Sequence, residues 1–242
     1  MLETEKLDGV NLAYGDAQDR MALLPNYYAW IARRFRGVLR GTVLDLGCGQ
    51  GAVIGQYLPH CERVVAVDFN AELLRQVSNR FDSKKVLVRQ SDLRGDWNEI
   101  ADITADVVLA LDVLEHFEDD DSFVQKMKAR LTKGGTVVVK VPAQSKLYGE
   151  IDRSSGHWRR YDKTALTALF ERNGFTTRTL QFMNPIGAWA YRLRRNQRTN
   201  FSKTFSTTKL RLGNLAMPVL SLLDFIPGLA GLSLVGIFDS TE

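Results

Sequence analysis

Apolar residues in this chain come in short runs that stop at acidic or glycine positions. Residues 42–46, 63–67, 85–88, 106–111 and 136–141 are each rich in Val, Leu and Ala with little alternation. Strands covered on both faces read this way, because neither face meets water. Helical stretches separate the runs. One follows the glycines after residue 46 and reaches about Leu58. One starts at Asn70, a good N-cap, and continues through Arg80. One opens on the acids at 118–121 and reaches Leu131, with Lys133-Gly134-Gly135 closing it. Strands alternating with helices predict an α/β fold with a doubly wound parallel sheet. Ahead of the first strand, Tyr27, Trp30, Ile31 and Phe35 fall near one helical stripe, so residues 1–40 form an N-terminal helical cap. Its aromatics serve either core packing or a lid over a ligand.

The stretch Thr42-Val-Leu-Asp-Leu-Gly-Cys-Gly-Gln-Gly51 is the richest in chemistry. A buried strand ends beside an acid, and a glycine-rich turn leads into a helix. Gly47 and Gly49 can take positive φ without a Cβ penalty, and the helix N-terminus leaves N–H groups facing a ligand. Ala52 stands where the dinucleotide fingerprint G-x-G-x-x-G/A needs its last small residue, so an NAD(P)-binding oxidoreductase stays open on spacing alone. Cys48 is a small filler inside the loop. Asp68 ends the second strand about 20 residues beyond the glycines, the place of a ribose-hydroxyl partner.

The pattern Asp45-x-Gly47-x-Gly49-x-Gly51, then Asp68, Asp92, Asp112-Val-Leu-Glu115-His116 and Leu131-Thr-Lys-Gly-Gly135, resembles the successive motifs of class I S-adenosylmethionine (SAM) methyltransferases over residues 40–182. The resemblance implies a Rossmann-like seven-stranded sheet of order 3-2-1-4-5-7-6, with residues 175–182 and 232–238 as its last two strands. It implies SAM as cofactor, held by Asp45, Gly47, Cys48, Gly49, Gly51, Asp68, Phe69, Asp92, Leu93 and Leu111. Asp92 would meet the adenine amino group, or else act as a turn cap.

Substrate chemistry is expected beyond the carboxyl ends of the strands. Glu115 and His116 follow strand four, and His116 either takes a substrate proton or orders the loop. Gly156-His157-Trp158-Arg159-Arg160-Tyr161 resembles a bacterial small-molecule subgroup of the same family. His157 is an equal candidate base. Trp158 and Tyr161 can stack on a ring, and Arg160 can grip a carboxylate or phosphate unless it pairs with Asp152. Tyr27 is a further substrate contact. The leading function is methyl transfer to a small molecule at a hydroxyl or carboxyl oxygen, the acceptor being anionic or lipid-linked. RNA methylation is the rival, but no Asn/Asp-Pro-Pro-aromatic motif follows strand four and neither cysteine follows a proline.

Composition adds local detail. At 242 residues the chain fits a single methyltransferase domain. The net charge of +4 is concentrated: residues 176–223 contain no acid but hold Arg178, Arg192, Arg194, Arg195, Arg198, Lys203, Lys209 and Arg211. Residues 184–231 form a basic, then apolar insertion between the last two strands. It either packs on the sheet, covers the substrate, touches an anionic membrane surface or joins two copies of a homodimer. Two cysteines and no signal-like N-terminus predict a cytoplasmic protein. Three scattered histidines, His60, His116 and His157, with no cysteine pair show no metal-ligand spacing, so no metal is expected.

Overall fold

The structure, a computed structural model, describes residues 23–196 and 207–241. Seven strands form one sheet of order β3-β2-β1-β4-β5-β7-β6. They are β1 (Thr42–Leu46), β2 (Arg63–Asp68), β3 (Val86–Gln90), β4 (Ala105–Leu111), β5 (Leu131–Pro142), β6 (Phe175–Met183) and β7 (Ser233–Ser240). Neighbours among β1–β5 run parallel, while β7 lies antiparallel between β5 and β6. This is the order and the doubly wound α/β class that the motif series implies.

The apolar runs are continuous because each strand feeds two cores. Along β1, Val43 enters one cluster with Trp30, Ile31, Ile54 and Val77, and Leu44 enters the other with Val108, Phe123 and Val139. The helices covering the sheet are α1 (Pro25–Arg33), α2 (Ile54–Tyr57), α3 (Ala71–Arg80), α4 (Asp120–Lys128) and α6 (Lys163–Arg172), while the short α5 (Glu150–Ser154) packs through Ile151 in a small cluster with Ala188 and Tyr191. Asn70 caps α3 as expected, its Oδ1 accepting the Glu72 and Leu73 N–H groups.

One boundary differs from the sequence reading. Helix α4 stops at Lys128, and Leu131 already pairs with Ala105 as the start of β5. The register then jumps, so that the next pair is Val107 with Thr136. Gly134, at φ +67°, sits in the looped-out residues. The glycines therefore make a bulge inside a strand and do not close a helix.

Between β6 and β7 stand α7 (Pro185–Arg194), α8 (Thr207–Leu220) and a short 3-10 turn, Ser221–Phe225. Arg198 and Lys203 of the basic tract, and residues 1–22 of the N-terminal cap, lie outside the described residues. The insertion is tied to α1. Asp224 has a fully buried carboxylate that pairs with Arg34 and accepts the Trp30 indole N–H at 2.7 Å and the Asn184 N–H at 2.8 Å. Asn26 and Asn214 add a reciprocal pair at 2.9 and 3.0 Å.

Candidate active site

The parallel strands deliver their carboxyl ends to one edge of the sheet, and the glycine turn after β1 forms the floor there. Gly47, Gly49 and Gly51 all have positive φ, +70°, +55° and +72°. A Cβ on Gly47 would lie 2.6 Å from a methyl of Val113, so the backbone comes close to the end of β4 only without a side chain.

Asp68 stands beside this turn. It is buried, its Oδ2 accepts the Gly49 N–H at 2.9 Å, and its Oδ1 accepts the Asn70 N–H at 2.9 Å. Burial raises its carboxyl above the ordinary range, against the pull of these N–H groups. Asp45 is also buried and accepts the Tyr57 hydroxyl at 2.6 Å. Burial pushes Asp45 up to about 7, and the nearby Asp68 adds to this. Burial, Asp45 and Asp68 all push the Cys48 thiol well up, so it remains a protonated filler. Phe69 is exposed at the rim. Leu93 is buried, its carbonyl accepting the Trp97 indole N–H at 2.8 Å. Asp92 is exposed, pairs with Arg94 at 2.7 Å and accepts the Arg94 N–H, so here it acts as a turn cap.

Leu111 and Tyr27 pack against the same core. Burial raises the Tyr27 phenol against the opposing pull of Lys140. Lys140 donates to Asp112 Oδ1 at 2.6 Å. Burial disfavours the Lys140 ammonium, but Asp112 and Tyr27 outweigh that and hold it above the ordinary lysine range. The sequence carried a sign of this pair, a lone lysine within the valines of β5.

A second group lies over the end of β4. The Trp158 N–H donates to the Glu115 carbonyl at 2.8 Å, which draws the loop after α5 onto the β4 loop. His116 and His157 meet edge to face, centroids 4.8 Å apart. His157 Nδ1 lies 3.2 Å from Asp152 Oδ1. Crowding by protein atoms, then the neighbouring His157, lowers the affinity of His116 for a proton. Glu115 is fully buried, and apart from its own backbone N–H its carboxyl has no hydrogen-bond partner. Burial, reinforced by Asp112, raises it well above the carboxylate range.

The other candidates in that loop serve the framework. Arg160 is buried, donates through Nε to both Asp152 oxygens at 2.9 Å and through Nη1 to the Ala143 carbonyl at 3.1 Å, and stacks on Tyr191. Tyr161 is buried, its hydroxyl donating to Asp120 at 3.0 Å. Trp158 is 53% exposed and open to a partner. The structure thus unites Glu115, His116 and His157, and gives Arg160 the Asp152 pairing that the sequence left open. Asp152, Tyr191 and Tyr57 also shape the site, and nothing in their spacing marks Tyr57 or Tyr191.

A family model described as a methyltransferase domain matches residues 17–180, more than half of the chain. The chain belongs to that family. With the sheet order above, it is a class I SAM-dependent methyltransferase, and the dinucleotide reading of Gly47–Ala52 falls away. A probable SAM-dependent methyltransferase of Mycolicibacterium smegmatis is 28% identical over 61% of this chain and 56% of its own length. The match spans about half the length of the curated relatives. Among solved structures, a SAM-dependent methyltransferase from Clostridium acetobutylicum aligns with TM-score 0.56 at 12% identity over 90% of this chain and 92% of that one. The N-methyltransferase NodS of Bradyrhizobium japonicum, solved with S-adenosylhomocysteine, aligns at 0.55 and 16% over 88% and 84%. Both likenesses concern the fold.

The site of this methyltransferase suits the cofactor. A Cβ-free cradle runs past two buried carboxylates, one of them holding the cradle's own backbone.

Proposed function

We propose that this methyltransferase acts on an oxygen of a small anionic or lipid-linked acceptor. The observation that carries the oxygen assignment is the Glu115, His116 and His157 group at the carboxyl end of β4. An alcohol must lose a proton as it is methylated, and basic groups gathered at one point meet that need. Bound SAM supplies an electrophilic methyl on a sulfonium. Asp45, Asp68 and the glycine turn are assigned to holding it, with Phe69 and Leu111 along its rim. Tyr27 and Trp158 are assigned to flanking the acceptor.

The lipid assignment rests on the insertion. Ile186, Trp189 and Leu193 on α7, and Leu212, Leu215 and Val219 on α8, recur at helical spacing and are all exposed. Arg192 and Arg211 stand exposed on the same helices. Among the described residues no helix is long and apolar enough to cross a membrane, so contact would be peripheral. Both cysteines are free, which suits a reducing cytoplasm.

The test is transfer of labelled methyl from SAM to a panel of hydroxyl and carboxyl compounds, amines and RNA. Turnover confined to oxygen acceptors, and strongest with acidic lipid-linked ones, is expected. Turnover only on amines or on RNA overturns the reading.

A further inference from the structure

We propose that Glu115, His116 and His157 bind one divalent cation, of the kind that takes mixed imidazole and carboxylate ligands. The linear spacing conceals the set, since two members are adjacent and the third lies in another loop. The Trp158 N–H to Glu115 carbonyl bond closes that distance. One ligand atom from each residue then lies within 4.8 Å of the others. Ligands at about 2.1 Å from one ion stand at most about 4.2 Å apart, so an ion need draw the group in only slightly. His116 is exposed to solvent on one side, which leaves an ion a way in.

Two further observations separate this group from a chance meeting of polar residues. The first is the Glu115 carboxyl, fully buried and lacking any partner beyond its own backbone. Buried carboxyl groups are otherwise paired or hydrogen-bonded, and a cation would complete this one. The second is the outer support. His157 places Nδ1 against the Asp152 carboxylate, which is in turn fixed by Arg160 and by the Tyr191 hydroxyl at 2.7 Å. A carboxylate behind one ring nitrogen fixes the tautomer and aims the other nitrogen at a metal. His116 Nδ1 faces Gly156, 3.8 Å from where a Cβ there would stand.

Two imidazoles and one carboxylate leave coordination positions open, as catalytic metal sites do. In the methyl transfer proposed above, on which this step rests, the acceptor hydroxyl would fill one of them. With the cation bound, the three groups would hold it and not take the proton themselves; the cation would lower the hydroxyl's pKa and the proton would pass to water. The freed oxygen lone pair forms the O–C bond, and the electron pair of the C–S bond goes to sulfur.

The test strips the full chain with a chelator and titrates it with Co2+ alone, following visible absorption and heat. A visible band saturating at one Co2+ per chain is expected. Glu115→Gln and His157→Ala should each weaken Co2+ binding by at least about tenfold, with S-adenosylhomocysteine binding retained. Absence of a stoichiometric band, or the same band in both variants, overturns the proposal. Glu115→Gln is isosteric and decides the matter alone if His157→Ala fails to fold. Competition by Mg2+, Mn2+ and Zn2+ then ranks the cations. Oxygen-acceptor turnover without any Co2+ site removes the ion and leaves the methyl-transfer reading standing. A Co2+ site without oxygen acceptors does the reverse.

Discussion

The Tyr191 hydroxyl donates to Asp152 Oδ2 at 2.7 Å, and so joins the insertion helix α7 to the loop that carries His157. The same carboxylate receives Arg160 Nε and faces His157 Nδ1. Burial alone would raise the Asp152 carboxyl, but the bonds from His157, Arg160 and Tyr191 prevail and hold it well below the carboxylate range. Its ionised form therefore stabilises the fold above the unfolded value of about 3.9, and that contribution fades as pH falls below it.

Asp152→Asn should accordingly cost about 3–5 kcal/mol in urea denaturation at neutral pH, because it strands a buried guanidinium. Tyr191→Phe removes one neutral donor and should cost only about 1 kcal/mol. The deficit of Asp152→Asn should shrink in acid. An equal deficit at pH 3 and pH 7 would show that Asp152 acts by shape and not by charge.

Asp68→Ala deletes the acceptor of both the Gly49 and Asn70 N–H groups as well as the expected ribose partner. Affinity for S-adenosylhomocysteine should fall by at least about 1–3 kcal/mol in calorimetry. Asp68→Asn keeps one acceptor oxygen and should recover part of the loss. Unchanged affinity in Asp68→Ala would remove Asp68 from the cofactor site.

How far this site shows in the sequence depends on how local each part is. The turn from Asp45 to Gly51 and the strand-end Asp68 are legible because backbone geometry dictates their residue types at fixed offsets. The helix end expected near Gly134-Gly135 misleads, since glycine serves a bulge as readily as a helix terminus. Arg160 is chemically fit for an anion, but the partner that engages it, Asp152, is visible only as one of several nearby acids. Glu115, His116 and His157 meet through one backbone hydrogen bond between two loops, which leaves no periodic trace. The insertion was legible as basic and apolar, while its attachment through Asp224 to Trp30 and Arg34 spans some 190 residues.

Asp45 sets a pH window of its own. Its folded value of about 7 lies above the unfolded value of about 3.9. The native state thus holds a proton that the unfolded chain releases, so this contribution is full below about pH 4 and is lost as pH rises through about 7. Stability of the cofactor-free protein should fall across that range by thermal melting, and Asp45→Asn should flatten the slope. We propose that Asp45 lies beside the cofactor's methionine ammonium, which favours the carboxylate, so SAM affinity should rise with pH through the same window. An affinity that is flat from pH 5 to 8 would separate Asp45 from the ligand.

Exposed apolar side chains at helical spacing on α7 and α8 set the last expectation. Trp189 and Leu193 are 68% and 64% exposed on one helix, Leu215 and Val219 73% and 69% on the next. Such a face gains from burial at a lipid boundary at about 25 cal/mol per Å2 of apolar surface removed from water. The cations nearby would add attraction only where the surface is anionic, and salt would screen it within about 10 Å at 0.1 M. Sedimentation with vesicles should therefore require anionic lipid and weaken as salt rises. The double substitution Trp189→Ser and Leu193→Ser should release the protein from vesicles while its melting temperature stays within a few degrees, because neither side chain belongs to the core. Binding that ignores lipid charge and survives both substitutions would assign this face to another role.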